Sequence, residues 1–227
     1  MNDDDLIQEQ IEYYRQRAPE YDETSTPAGD PLAAYALEIQ DAIRHFAPRG
    51  NVLEIASGTG SGTRHLIEQA TNVTALDSSP EVHELSRQKL QDNDKVRYVV
   101  ADIFSWKPTD KYDVVFFSYW LSHVPPTMFD AFWEAVGNAL KSDGRVFFID
   151  ELEDAWRKEE HLREDFVHDP SVPIVRRPLL DGRSFNVVKV FWDPDELEQR
   201  LADLGWAIKV HAVGPFYWAE GQLRTAP

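Results

Sequence analysis

Apolar residues at helical spacing form two stripes within the first fifty positions. Leu6, Ile7, Ile11 and Tyr14 mark the first, over residues 6–18. Leu32, Tyr35, Ala36, Ile39, Ile43 and Phe46 mark the second, which stops near Pro48-Arg49-Gly50. A proline- and threonine-containing stretch, Thr24 to Pro31, separates them. The pattern predicts a helical N-terminal region over residues 1–48 packed on a main domain over 49–227. From residue 51 short apolar runs alternate with amphipathic ones. Strands are predicted at 52–56, 73–77, 96–100, 113–118 and 145–150, and helices at 60–70, 80–91, 127–141 and 193–204. Alternation at these lengths implies βαβ units, a parallel sheet and right-handed crossovers, an α/β doubly wound fold. Val114-Val115-Phe116-Phe117 and Val146-Phe147-Phe148-Ile149 are apolar throughout, as strands covered by helices on both faces should be.

Local signals set the boundaries. Ser79-Pro80 supplies an N-cap and a first-turn proline. Asp193-Pro194-Asp195-Glu196 does the same, with Glu196 placed for a capping box. Gly144 and Gly205 are read as helix ends. After residue 150 the pattern shifts. Residues 151–166 read as a charged helix with Leu152, Trp156 and Phe166 on a sparse apolar face. Asp181-Gly182 sits between two apolar runs as a hairpin turn. Residues 166–191 are expected to form a cover over a substrate. Trp206 to Val213 and Phe216 to Ala219, split by Gly214-Pro215, predict an antiparallel pair.

Charge narrows the partners. The 227 residues carry a formal net charge of −17, which argues against a nucleic-acid ligand. The densest basic cluster, Arg176-Arg177 with Arg183 nearby, reads as a loop or lid feature. No apolar run approaches the roughly 20 residues of a membrane span, and the acidic start does not resemble a secretory signal. Cysteine is absent, so disulfides and thiolate metal sites are excluded. The expectation is a cytoplasmic protein with no membrane or nucleic-acid partner; nothing in the sequence addresses oligomeric state. His161 and His168 among acids could be drawn as a metal site, but a solvated helix face accounts for them, so no metal is expected.

Candidate chemistry begins at Val52-Leu53-Glu54-Ile55-Ala56-Ser57-Gly58-Thr59-Gly60, a buried strand ending in a small-residue turn. Such a turn lets a ligand approach bare main chain at a strand's carboxyl end. Glu54, Asp77 and Asp102 fall in or just after three successive strands. One carboxylate suits a ribose diol and another an exocyclic amine, and together they favour a ligand bearing positive charge over a pyrophosphate. Glu54 is expected on the cofactor side; tying down the next helix is the plainer role for it.

With those residues in place, the chain from about 50 to 220 resembles the class I S-adenosylmethionine-dependent methyltransferases. The matching segments are Glu54 to Gly60, Ala75-Leu76-Asp77-Ser78-Ser79, Ala101-Asp102-Ile103-Phe104, Tyr112 to Ser118 and the Gly144 to Phe148 strand. The resemblance implies a Rossmann-like sheet of seven strands, the last antiparallel, and S-adenosyl-L-methionine as cofactor. It implies that Gly58 and Gly60 let the methionine part pass, that Asp77 holds the ribose, that Asp102 and Ile103 meet adenine, and that Ser118 lies near the amino group and sulfonium. Ala56, Ser57, Ser78, Ala101 and Phe104 fall along the same path. Ala56 departs from the glycine common there. Tyr13 to Asp22 resembles the lid segment of small-molecule members, making Tyr14 and Tyr21 candidate cofactor contacts; an aromatic face packed on the core is the alternative.

His123, in the loop past the fourth strand, is the candidate catalytic base for a hydroxyl or amine acceptor, with a loop-holding hydrogen bond as the alternative. The implied activity is methyl transfer to O, N or C of a small-molecule acceptor. Two competing readings stay open: a nicotinamide-dependent oxidoreductase, although Thr63 stands where G-x-G-x-x-G needs glycine, and a catalytically silent cofactor-binding protein.

Overall fold

The computed structural model describes residues 2–25, 32–153, 166–167 and 174–224. Its strands are β1 Asn51–Ile55, β2 Asn72–Asp77, β3 Val96–Val100, β4 Tyr112–Ser118, β5 Leu140–Glu151, β6 Phe166–Val167, β7 Ile174–Pro178, β8 Ser184–Val188, β9 Trp206–Val213 and β10 Phe216–Leu223. Its helices are α1 Asp3–Arg17, α2 Tyr21–Ser25, α3 Ala33–Phe46, α4 Thr63–Leu66, α5 Pro80–Leu90, α6 Phe129–Ala139 and α7 Pro194–Asp203. Seven strands make the main sheet, in the order β3-β2-β1-β4-β5-β10-β9. The first five run parallel, and β10 enters antiparallel between β5 and β9. β1 is flanked by β2 on one side and β4 on the other, so strand order reverses there and a crevice opens at the carboxyl ends.

Alternation along the central strands sorts their side chains onto two faces. Leu53, Ile55, Val115, Phe117, Val146 and Phe148 pack with Phe132, Trp133 and Val136 of α6 and with Leu197 and Leu201 of α7. Val52, Val114, Phe116, Phe147 and Ile149 pack on the other side with Ile39, Ile43 and Phe46 of α3. Phe116, Phe117, Phe147 and Phe148 are fully buried, which accounts for the absence of polar alternation in these strands.

The predicted caps form. Ser79 Oγ accepts from the Val82 amide, and Asp193 accepts from the amides of Asp195 and Glu196. The helix predicted over 60–70 shrinks to α4, because residues 57–62 are spent on the turn after β1 and leave no side-chain cap. Gly144 does not end a helix: α6 stops at Ala139, Leu140 is already extended, and Gly144 lies within β5. Gly205, at φ +88°, does follow α7. The charged helix predicted over 151–166 falls mostly outside the described residues, as do His161 and His168.

A second sheet has the order β6-β7-β8 and meets the loop after β4, where the Val190 amide donates to the Ser122 carbonyl at 2.7 Å. Its β7–β8 hairpin turns through Leu179 to Arg183, around the predicted Asp181-Gly182. α1 packs on β8 and fastens to it through polar contacts: Glu9 Oε1 accepts from the Asn186 amide at 2.7 Å, and Gln10 Oε1 accepts from the Val188 amide at 3.0 Å.

Candidate functional site

The turn after β1 forms the floor of a large cavity. The Ser57 amide donates to the Leu76 carbonyl at 3.0 Å, and the Gly60 amide to the Ser57 carbonyl at 3.2 Å. Ala56 has φ +52° and Gly58 φ +53°. A Cβ placed on Gly58 would meet nothing within 4 Å, so the backbone there faces open space that a side chain would occupy. Asp77, at the end of β2, braces the turn: its Oδ2 accepts from the Gly58 amide at 2.9 Å and its Oδ1 from the Ser79 amide at 3.0 Å. Burial raises the Asp77 carboxyl above the usual range, and these amides oppose that shift.

The cavity holds about 2040 Å³, larger than the roughly 300–1000 Å³ typical of one small-ligand site. It has room for two ligands side by side. Of the predicted residues, Ala56, Ser57, Gly58 and Gly60 line it from the β1 turn, and Asp77 and Ser78 from the end of β2. Ala101, Asp102 and Ile103 line it past β3, Ser118 and His123 from the end of β4, and Tyr14 and Tyr21 from above. Asp102 Oδ1 also accepts from the Phe104 amide at 3.0 Å, closing the turn that follows β3.

Two predicted residues are placed elsewhere. Glu54 is 1 % exposed, does not line the cavity, and accepts from Thr63 Oγ1 at 2.6 Å. It ties α4 beneath the turn, and burial pushes its carboxyl up to about 8, with the Thr63 hydrogen bond opposing and Asp77 adding. The plainer of the two expected roles for Glu54 is therefore the one its geometry fits. Phe104 also stays off the cavity wall and packs near Trp120 and Phe132.

The N-terminal helices roof the cavity. Thr59 Oγ1 donates to Asp22 Oδ1 at 2.8 Å, and Asp22 also pairs with Lys89 of α5. Arg15 reaches Glu81 at 2.7 Å. These contacts fasten α1 and α2 across the turn that the resemblance assigns to the cofactor.

His123 joins three parts of the molecule. Its Nδ1 lies 2.6 Å from the Val188 carbonyl oxygen, and its Nε2 lies 2.8 Å from Tyr14 Oη. Its own carbonyl accepts from Gln10 Nε2 at 3.1 Å. Burial, with Lys189 and Arg177 close by, holds the imidazole well below the ordinary histidine range. Both ring nitrogens are engaged with the protein.

Sequence reasoning read Arg177 as part of a loop or lid feature and gave no site role to the cations that gather on this side. Lys189, just past β8, is 1 % exposed; its Nζ lies 2.5 Å from Glu151 Oε2 and 3.1 Å from Ser122 Oγ. Burial works against ionisation of Glu151, but Lys189 and Arg177 hold its carboxyl below the usual range. Arg177, on β7, lines the cavity, and among the described residues its Nε is buried with no hydrogen-bond partner. Arg17 lines it too and stacks over the Tyr21 ring at 4.8 Å. Asp77 and Asp102 thus occupy one end, and Arg17, Arg177 and Lys189 gather around Tyr14, His123 and Glu151. A lone lysine within the apolar run Val187 to Phe191 was the signal available for Lys189.

Known proteins resemble this chain in sequence and fold. A family model described as a methyltransferase domain matches residues 52–144. Two solved structures, a DhpI–SAH complex and a DhpI–SAM–HEP complex, are 42 % and 43 % identical to this chain. They cover 97 % and 98 % of it, and it covers 98 % and 100 % of them, with TM-scores of 0.81 and 0.83. Malonyl-[acyl-carrier protein] O-methyltransferase 1 of Ilyobacter polytropus is 32 % identical over 68 residues, which are 29 % of this chain and 25 % of that protein. The match spans about a quarter of that relative's length.

Proposed function

We propose that this chain, which belongs to the class I S-adenosylmethionine-dependent methyltransferases, moves the methyl group onto an anionic oxygen of a small-molecule acceptor. The observation that carries the acceptor class is the gathering of Arg17, Arg177 and Lys189 on the cavity wall, around Tyr14 and His123. A guanidinium on that wall offers N–H donors in the geometry that a carboxylate, phosphate or phosphonate oxygen accepts, and the cations together favour a negatively charged acceptor. The DhpI relative was solved with SAM and a second ligand, HEP, and a cavity of about 2040 Å³ leaves space for such a pairing here.

The residues fit the cofactor. Bare main chain at Gly58 would pass the methionine part, Asp77 would accept from the ribose hydroxyls, and Asp102 with Ile103 would border the adenine. Ala56, Ser57, Gly60, Ser78, Ala101 and Ser118 would complete that wall, with Tyr14 and Tyr21 above. α1 and α2 would act as the lid, and the β7–β8 hairpin as the acceptor cover that brings Arg177 in. S-adenosylmethionine, when bound, supplies a methyl group already activated by a sulfonium. The protein's part is alignment and exclusion of water.

An oxyanion needs no base. That agrees with His123, which burial keeps neutral and whose ring nitrogens are both engaged. The expected role of His123 as a base is accordingly replaced, in this reading, by a holding role. The cations would orient the acceptor and lower the cost of desolvating it.

The test is turnover of labelled methyl donor over carboxylates, phosphate monoesters and phosphonates against neutral alcohols and amines. The anionic acceptors are expected to react, and Arg177→Met to raise their KM by at least about tenfold. Equal turnover of neutral alcohols by both proteins would refute the acceptor class.

A further inference from the structure

We infer that Glu151 sets acceptor specificity: its carboxylate selects anions that carry a hydroxyl or ammonium donor on the carbon next to the oxyanion. The inference rests on the acceptor class proposed above and narrows it.

Glu151 ends β5, and Ile149, two residues earlier, pairs with Ser118 at the end of β4. Ser118, Ile149 and Glu151 all line the cavity. Arg177 and Arg17 act on the Glu151 carboxylate, which places it among the cations and away from Asp77 and Asp102. The strand end is held rigidly. Its other acid, Asp150, is fully buried and accepts from the Ser122 amide at 2.8 Å and from the Glu151 amide at 2.9 Å.

Lys189 stands behind the Glu151 carboxylate. Its side chain is 2 % exposed, against 29 % for Glu151. Its Nζ donates to Glu151 Oε2 at 2.5 Å and to Ser122 Oγ at 3.1 Å, and lies 4.0 Å from Asp150. At this part of the wall an acceptor therefore meets the carboxylate before the ammonium. Lys189, Arg177 and Arg17 keep Glu151 ionised. Among the described residues, Oε2 holds Lys189 and Oε1 has no hydrogen-bond partner.

An ionised carboxylate can only accept. An oxyanion drawn to the arginines brings like charge toward Oε1, and repulsion is strong where water is excluded. A hydroxyl or ammonium on the adjacent carbon reverses the sign of that contact, because it donates to Oε1 in a charge-assisted bond. The wall thus repels the plain anion and holds its donor-bearing analogue.

Calorimetric titration of the full chain, saturated with S-adenosylhomocysteine, tests this with two series of anions. Methylphosphonate is compared with hydroxymethylphosphonate and aminomethylphosphonate, and propionate with lactate and alanine. Within a series that binds, the wild-type protein is expected to favour a donor-bearing member by at least about tenfold, and the hydroxyl and amine arms show which donor it takes. Glu151→Gln keeps an oxygen for Lys189 and loses the charge, so it should narrow the preference to about threefold or less, with the plain anion binding more tightly than to wild type. A purely structural loss would weaken both members alike. Equal affinities within each series for wild type, or an unchanged ratio in Glu151→Gln, overturns the inference. Should Glu151→Gln fail to fold, the wild-type ratio decides it. Binding of none of these anions would instead overturn the acceptor class, and this inference with it.

Discussion

Replacing Glu54 by Gln should change how stability depends on pH. Glu54 is 1 % exposed and accepts a hydrogen bond from the Thr63 hydroxyl. Burial raises its carboxyl from an ordinary value of 4.5 to about 8. The folded state therefore keeps a proton that the unfolded chain releases above its ordinary value, and stability must fall as pH climbs between the two. The contribution is fully present below the unfolded value and is gone once pH passes the folded one. Each pKa unit corresponds to about 1.4 kcal/mol, so wild-type stability should drop by about 3 kcal/mol more than that of Glu54→Gln between about pH 5.5 and 7.5. The amide keeps an oxygen for Thr63 and has no proton to lose. Urea unfolding of the ligand-free proteins at half-unit pH steps measures the difference directly. Parallel stability curves would refute the assignment of a protonated carboxyl under the turn.

Other substitutions test the remaining parts. Asp77→Ala removes the brace on the Gly58 amide and the proposed ribose acceptor, so calorimetry should show S-adenosylmethionine binding weakened by more than about tenfold; unchanged affinity would count against the ribose assignment. Gly214 has φ +55°, and a Cβ there would fall 2.3 Å from the Tyr35 ring, so Gly214→Ala should cost about 3 kcal/mol through strain and overpacking and lower the melting temperature by roughly 6–12 °C. Asp22→Ala unfastens α2 from Thr59 and Lys89, so limited trypsin digestion should cut after Arg15 or Arg17 faster than in wild type, and identical digestion rates would show the latch to be unimportant.

Much of the sheet was legible because its signal is local. The centres of β4 and β5, Val114 to Phe117 and Val146 to Ile149, are unbroken apolar runs, and β1 to β3 are mostly apolar; Ser79 and Asp193 cap as their types suggest. The wall proposed for the cofactor was readable in the same way, since Asp77 ends a strand, Ala56 and Asp102 follow strands, and all three line the cavity. The cationic side was not. Arg177 and Lys189 reach the cavity from β7 and from the segment after β8, more than fifty residues beyond His123, and only the hairpin's docking on α1 brings them there. Glu54 shows the limit from the other direction: a carboxylate one residue before a turn can face ligand or lie beneath it. The sterics around Gly62, where a Cβ would meet Glu54 Oε1 at 2.4 Å, belong to the folded state and leave no mark on spacing.

The insertion of β10 between β5 and β9 bears on biogenesis. On the ribosome, β9 emerges before β10, the strand to which it hydrogen-bonds among the described residues, and until β10 follows, the β5 edge carrying Phe147 and Phe148 lacks a neighbour there. A nascent chain paused between the two would present an open, aromatic-rich border suited to chaperone capture or to pairing with another unfinished copy.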